Sequence, residues 1–309
     1  MALRIAVMGS GGVGGYFGAR LAQSGADVTF IARGAHLEAI RRDGLRIDSK
    51  STPLHLTPAK AVQNPADAGG VDAILFCVKM ADTESAARQI MPLVAKGATV
   101  FTFQNGVESA DKVGAIVGAQ NVVAGTAQIA AVIAQPGTIK HTGTMARMVF
   151  GETDGKPSPR TEKLFAACKA AGFDCVLSDD ITRAVWMKFA MLAPFSGMTT
   201  LTRGPIGPVR TNPQTRRLLE AAVREVVAVG AKLGRHVGGE DADRTLELID
   251  SMPAEMTASM THDLLAGKPL ELNGLSGAVA RLGEAHGVAV PTHRFIADAL
   301  SVHIDGKAT

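Results

Sequence analysis

The sequence predicts an α/β fold: a Rossmann-type doubly wound parallel sheet over residues 1–179, followed by an all-helical C-terminal domain over residues 180–309. Three observations predict it. Apolar runs of strand length alternate with amphipathic helical stretches through the first part of the chain. A glycine-rich turn stands between the first run and the first stretch. After residue 180 the strand signals cease, and helix and breaker alternate to the end.

The chain opens with a short apolar run, LRIAVMG, then glycines, then the helix-like GYFGARLAQSG and the β-rich DVTFIAR. Strand, tight turn, helix and strand within about 30 residues make the βαβ unit of an open parallel sheet. Further strands are predicted at AILFCVK, ATVFTFQNG and VVAGTAQIAAVI. Between them lie DTESAARQIMPLVAK and ADKVGAIVG, whose apolar residues recur at spacings near three and four. After residue 135, PGTIKHTGTMARMVFGE reads as two short strands joined by a turn. The helix SPRTEKLFAACKAAG and a last strand, DCVLSD, complete an antiparallel edge to the sheet.

From residue 180 the pattern is helical. NPQTRRLLEAAVREVVAVGAKLG has an asparagine ahead of Pro213 to start it, a long apolar stripe, and Gly234 to stop it. GEDADRTLELIDSM, EMTASMTHDLLAG, LNGLSGAVARLGEAHG and PTHRFIADALSVHI follow. The boundary near 180 lacks flexible-linker composition, so two domains in rigid contact with a cleft between them are expected.

A chain of 309 residues with 46% hydrophobic and 20% charged residues is that of a water-soluble globular protein. Its net charge of +3 gives no sequence-wide field for nucleic acid or an anionic membrane. The glycine-interrupted amino terminus has no small-residue cleavage site and does not read as a signal peptide. No stretch approaches the roughly 20 apolar residues of a membrane span. Three cysteines, Cys77, Cys168 and Cys175, fit reduced thiols packed in a cytoplasmic core. The histidines show no metal-ligand spacing, and no metal site is expected.

The turn Gly9-Ser10-Gly11-Gly12-Val13-Gly14 matches G-x-G-x-x-G where a dinucleotide site requires it, between strand and helix. The glycines allow the tight turn and close approach of the backbone to a pyrophosphate, and the helix N-terminus offers N–H groups to its oxygens. Where NAD-preferring sites place a carboxylate at the end of the second strand, this chain has Arg33. A guanidinium there suits a 2′-phosphate, so NADPH is expected rather than NADH. Lys79 and Asn105 stand just past two further strand-like runs, at the carboxyl edge where such folds bind ligands. Each also fits an ordinary turn position.

The run AVWMKFAMLAPFSGM, residues 184–198, is almost uncharged yet contains Lys188. A buried ammonium loses hydration unless it is paired or gives up its proton, so Lys188 either extends its head to water or serves chemistry.

Together with FQNGVES, PGTIKHTG, ITRAVWMKF, TASMTHDLLAGKPLELNGL and AHGVAVPTH, these motifs give a chain that resembles the ketopantoate reductases (2-dehydropantoate 2-reductases) over nearly its whole length. The resemblance implies an NADPH-dependent enzyme of pantothenate biosynthesis with a Rossmann-type domain, a helical domain, and substrate bound in the cleft. It implies that Lys188 is the general acid toward the ketone and that Glu271 helps hold the substrate. It further implies that Ser259 contacts the substrate carboxylate, that Asn105 serves cofactor and substrate, and that Arg33 and Lys79 recognise the 2′-phosphate. The chemistry is coherent, because hydride delivery to a ketone builds negative charge on oxygen that an ammonium stabilises and then protonates.

The chain departs from the family where asparagines usually line the substrate. Leu192 and Ser196 follow Lys188 by one and two helical turns, and Met256 precedes the serine motif. The leucine and methionine offer no amide. A bulkier or more apolar 2-oxo acid is therefore the alternative substrate class, and a non-catalytic NADP(H) sensor is a further alternative. The stripe of residues 212–234 leaves a homodimer open.

Overall fold

The computed structural model describes residues 2–307; residue 1 and residues 308–309, at the outer ends of the two expected domains, lie outside the described residues. The chain forms two compact units. One takes in the chain up to Gln104 together with Glu108–Ile181; the other holds Asn105–Val107 and the chain from Thr182 onward.

In the first unit the elements are β1 (Arg4–Met8), α1 (Gly12–Gln23), β2 (Asp27–Ile31), α2 (Gly34–Asp43), β3 (Leu45–Ser49), β4 (Leu54–Leu56), β5 (Lys60–Val62) and β6 (Ala73–Phe76). They continue with α3 (Thr83–Val94), β7 (Thr99–Thr102), α4 (Ser109–Val117), β8 (Val122–Gln135), β9 (Thr138–Gly151), α5 (Pro159–Ala170) and β10 (Asp174–Leu177). The sheet runs β4-β3-β9-β8-β7-β6-β1-β2-β5, with β10 beside β9. From β8 across to β5 every neighbouring pair is parallel. Alternate residues of the central strands face opposite ways: Ile5, Val7, Leu75 and Phe101 enter one core cluster, and Ala6, Met8, Ile74, Phe76 and Val100 another. Burial on both faces is why these strands read as unbroken apolar runs.

Two expectations are corrected. PGTIKHTGTMARMVFGE is not two strands and a turn but one strand, β9, antiparallel to β8. Gly143, with φ +78°, lies in a bulge where the register passes from Ile129↔Ala146 to Ala130↔Thr142. Nor is this antiparallel pair the edge, since β3 adds parallel to β9 and β4 adds antiparallel to β3. The stretch that forms β3, β4 and β5 is short-stranded and polar; only the in-out alternation of Leu45, Ile47 and Ser49 marks β3.

The second unit carries α6 (Ile181–Leu201), α7 (Ile206–Thr211), α8 (Pro213–Lys232), α9 (Gly239–Ser251), α10 (Ser259–Leu265), α11 (Ser276–His286) and α12 (Pro291–Leu300). Ile181, the first residue of α6, belongs to the sheet unit, and the helix from Thr182 onward belongs to this one. Asn212 caps α8, accepting from the Gln214 and Thr215 N–H groups at 3.0 and 3.3 Å, and Gly234 (φ +66°) ends it. The α8 stripe (Leu219, Val223, Val226) is buried against neighbouring helices of its own unit. Glu225 on α8 caps α12 by accepting from the Thr292 and His293 N–H groups at 2.8 and 2.9 Å. His293, fully buried, donates through Nε2 to the Ala222 carbonyl at 3.1 Å, and burial brings its pKa down to about 4. Among the described residues no helix is long and apolar enough to cross a membrane.

Candidate active site

The glycine turn is shaped by its own crowding. Gly9 has φ +96°, and a Cβ there would stand 2.7 Å from the Val78 nitrogen. A Cβ on Gly12 would strike the Ala131 carbonyl, and one on Gly14 would strike the Gly9 carbonyl. Gly11 is different, for nothing lies within 4 Å of the place its Cβ would take. It is the N-cap of α1, a helix start with no side-chain cap and no acidic residue in its first turn. Open space above backbone N–H groups suits a diphosphate. Ser10 turns inward, giving both its N–H (3.4 Å) and its hydroxyl (3.0 Å) to the Ile31 carbonyl, which ties the turn to β2. Val13 packs its side chain against the core.

Arg33 and Lys79 follow β2 and β6, on either side of β1. Arg33 is an exposed N-cap of α2 whose guanidinium meets Asp82 at 3.4 Å. Lys79 is exposed. Its backbone is held by Gln104, a buried amide two residues past β7 that donates to the Val78 carbonyl (2.9 Å), the Lys79 carbonyl (3.4 Å) and Thr83 Oγ1 (2.9 Å).

Three of the expected residues meet in the second unit. Lys188 Nζ donates to Asn105 Oδ1 at 2.9 Å, and Asn105 Nδ2 donates to Glu271 Oε2 at 3.3 Å. An amide has one acceptor end and one donor end, so an ammonium on one side and a carboxylate on the other fix its orientation. Burial lowers the Lys188 pKa to about 8, against the opposing pull of the Glu271 charge. The side chain is therefore a protonated acid at neutral pH that gives up its proton far more readily than an exposed lysine.

The helix that carries Lys188 is anchored around it. Arg183 makes a two-pronged pair with Asp241 at 3.0 and 2.6 Å, which holds that carboxyl below its ordinary pKa. Trp186 donates to the Val226 carbonyl at 3.1 Å and lies over Gly230, where any Cβ would run into the indole. Leu192 and Ser196 continue along α6. Ser196 is 1% exposed, and its hydroxyl has no partner among the described residues. Met256 is 38% exposed, and its carbonyl accepts from the Ile206 N–H at the start of α7. Ser259 is exposed and opens α10.

Sequence reasoning missed several supports. His36 accepts from the Gly137 N–H through Nδ1 at 3.0 Å, so its Nε2 carries the proton donated to the Ser10 carbonyl at 2.8 Å. Burial lowers its pKa, keeping that neutral form. His36, Gln104, Trp186 and Asp241 had no signal in spacing, because each acts on a segment distant in the chain.

The family model described as ketopantoate reductase PanE/ApbA matches residues 5–155, and the model for the C-terminal part of that family matches residues 180–303. A 2-dehydropantoate 2-reductase of Mesorhizobium japonicum is 31% identical over 94% of this chain and 94% of its own length. One from Halobacterium salinarum is 31% identical over 96% of this chain and 97% of its own. The crystal structure of 2-dehydropantoate 2-reductase from Geobacter metallireducens superposes with a TM-score of 0.89 at 31% identity, covering 97% of this chain and 99% of that one.

Proposed function

Because the chain belongs to the ketopantoate reductase PanE/ApbA family, whose members are nicotinamide-dependent oxo-acid reductases, we propose that it uses NADPH to reduce a 2-oxo acid to the 2-hydroxy acid, with 2-dehydropantoate as the favoured substrate and pantoate as product. The observation that carries this reading is the Lys188–Asn105–Glu271 array, which holds a lysine of pKa about 8 in place. The net reaction consumes one 2-oxo acid, one NADPH and one proton, and yields the 2-hydroxy acid and NADP⁺.

A bound nicotinamide would supply the hydride. The open face above Gly11 and the uncapped start of α1 hold the diphosphate, and Arg33 and Lys79 hold the 2′-phosphate. Asn105 takes up one of the three N–H groups of the Lys188 ammonium, which leaves others for the ketone oxygen. Lys188 stabilises charge as it develops on that oxygen and passes a proton to it, an effect worth about 10²–10⁴ in rate. Glu271 keeps the lysine protonated beforehand, and Ser259 takes the substrate carboxylate. Purified protein with NADPH and 2-dehydropantoate tests the reading through NADPH oxidation; absence of turnover with this and with a panel of other 2-oxo acids rejects it.

Leu192 and Met256 favour a second reading, in which the substrate is a 2-oxo acid with a bulkier or more apolar side chain. Each missing amide contact removes about 1 kcal/mol of hydrogen bonding to a polar substrate. A higher kcat/KM for such an acid than for 2-dehydropantoate decides for it. The sensor reading falls if Lys188→Ala abolishes turnover while NADPH still binds.

A further inference from the structure

Thr199, Thr200 and Thr261 are each fully buried. Two buried helical threonines return their hydroxyl to their own helix one turn back: Thr199 to the Phe195 carbonyl and Thr245 to the Asp241 carbonyl. Thr261 does not. Its hydroxyl crosses from α10 to α6, donating to Thr199 Oγ1 at 2.9 Å and lying 3.1 Å from Thr200 Oγ1.

The direction of this chain follows from counting protons. Thr199 gives its only hydroxyl proton to the Phe195 carbonyl at 2.8 Å, so toward Thr261 it can only accept. Thr261 has then spent its own proton on Thr199 and must accept from Thr200. The relay runs Thr200 to Thr261 to Thr199 to the Phe195 carbonyl, with every hydroxyl committed and no water needed.

Position gives the relay its meaning. Thr199 lies about three helical turns beyond Lys188, so both sit on nearly the same stripe of α6. Thr261 lies in the first turn of α10, two residues after Ser259. A seven-residue helix has too little stability of its own to hold a place, which leaves tertiary contacts to decide where α10 starts. We propose that Thr261 is a positioning residue: its hydroxyl, clasped by Thr199 and Thr200, fixes the start of α10 and so sets the Ser259 hydroxyl at the distance from Lys188 that a 2-oxo acid spans. The proposal rests on the functional reading above for its substrate, and on the relay for its geometry.

The test compares Thr261→Val, which keeps the shape and loses the hydroxyl, with Thr261→Ser, which keeps the hydroxyl. Thr261→Val raises KM for the 2-oxo acid about fivefold to tenfold, the scale of one net hydrogen bond, while kcat and NADPH affinity stay within about twofold. Amide hydrogen exchange quickens over residues 259–265, and Thr261→Ser restores both readouts. Should Thr261→Val fold poorly, Thr200→Val removes only the outer donor and gives a smaller shift of KM in the same direction. An unchanged KM in the valine variants, or failure of serine to restore it, overturns the proposal. Wild-type protein that turns over no 2-oxo acid rejects the functional reading instead; then exchange decides whether the clasp exists, and exchange unchanged over residues 259–265 removes it.

Discussion

The Lys188 ammonium donates to the Asn105 side-chain oxygen at 2.9 Å, and the same amide reaches the Glu271 carboxylate with its nitrogen at 3.3 Å. Asn105→Asp places a second carboxylate against the lysine. It raises the Lys188 pKa, moves the alkaline limb of the kcat/KM profile to higher pH, and lowers kcat because the acid holds its proton more tightly. A profile that does not move in this variant shows that Lys188 is not the titrating acid.

With Lys188 at a pKa of about 8, kcat/KM for reduction is level near neutrality and falls about tenfold per pH unit above that value. Lys188→Ala removes this limb and lowers kcat by about 10²–10⁴, with NADPH affinity retained. Steady-state kinetics across pH check both outcomes.

Under the proposed function, Arg33 would exchange Asp82 for a 2′-phosphate. The exposed ion pair it gives up is worth at most about 1 kcal/mol, whereas hydrogen bonds between charged groups are worth about 1.5–3. Arg33→Ala therefore raises KM for NADPH about tenfold or more and leaves NADH little affected, while Asp82→Asn lowers KM for NADPH. Equal losses with both cofactors exclude recognition of the 2′-phosphate at Arg33.

Two glycines of the turn separate folding from binding. At Gly12 a Cβ meets the Ala131 carbonyl, so Gly12→Ala destabilises the protein itself. At Gly11 it meets nothing, so Gly11→Ala keeps the melting temperature and loses NADPH affinity. Thermal unfolding and cofactor titration distinguish the pair; full NADPH affinity in Gly11→Ala excludes the diphosphate from this face.

His293 sets an acid limit on stability. Its folded pKa of about 4 lies below the ordinary value of 6.5, so the unfolded chain binds more protons between these values. Its contribution is complete above about pH 6.5 and is lost as pH falls toward 4, a total of about 3 kcal/mol. His293→Gln flattens that part of the curve, as urea unfolding at a series of pH values measures.

The central parallel strands were legible because burial on both faces leaves an apolar signature in consecutive residues. The glycine turn and the α8 cap were legible because backbone geometry there selects particular residue types. β3 to β5 were not, since short strands at a sheet's margin have mixed surroundings, and Gly143 misled because a glycine that permits a turn also permits a bulge. At the site, Lys188 stood out as a charge in an apolar run. Glu271 and Ser259 entered through family resemblance, and nothing in local sequence foretold that Asn105 joins Lys188 to Glu271. Gln104 and His36 act across more than 20 residues of chain on backbone groups, a relationship that leaves no periodic trace.

The grouping of Asn105–Val107 with the helical unit, between flanks that belong to the sheet unit, has a bearing on modularity. The polypeptide passes from one unit to the other three times, at residues 104–105, 107–108 and 181–182. A gene segment encoding only the helices would carry Lys188 and Glu271 but not the amide between them. The Lys188–Asn105–Glu271 array is thus assembled from separate stretches of one chain, with Lys188 standing 83 residues beyond the amide it donates to.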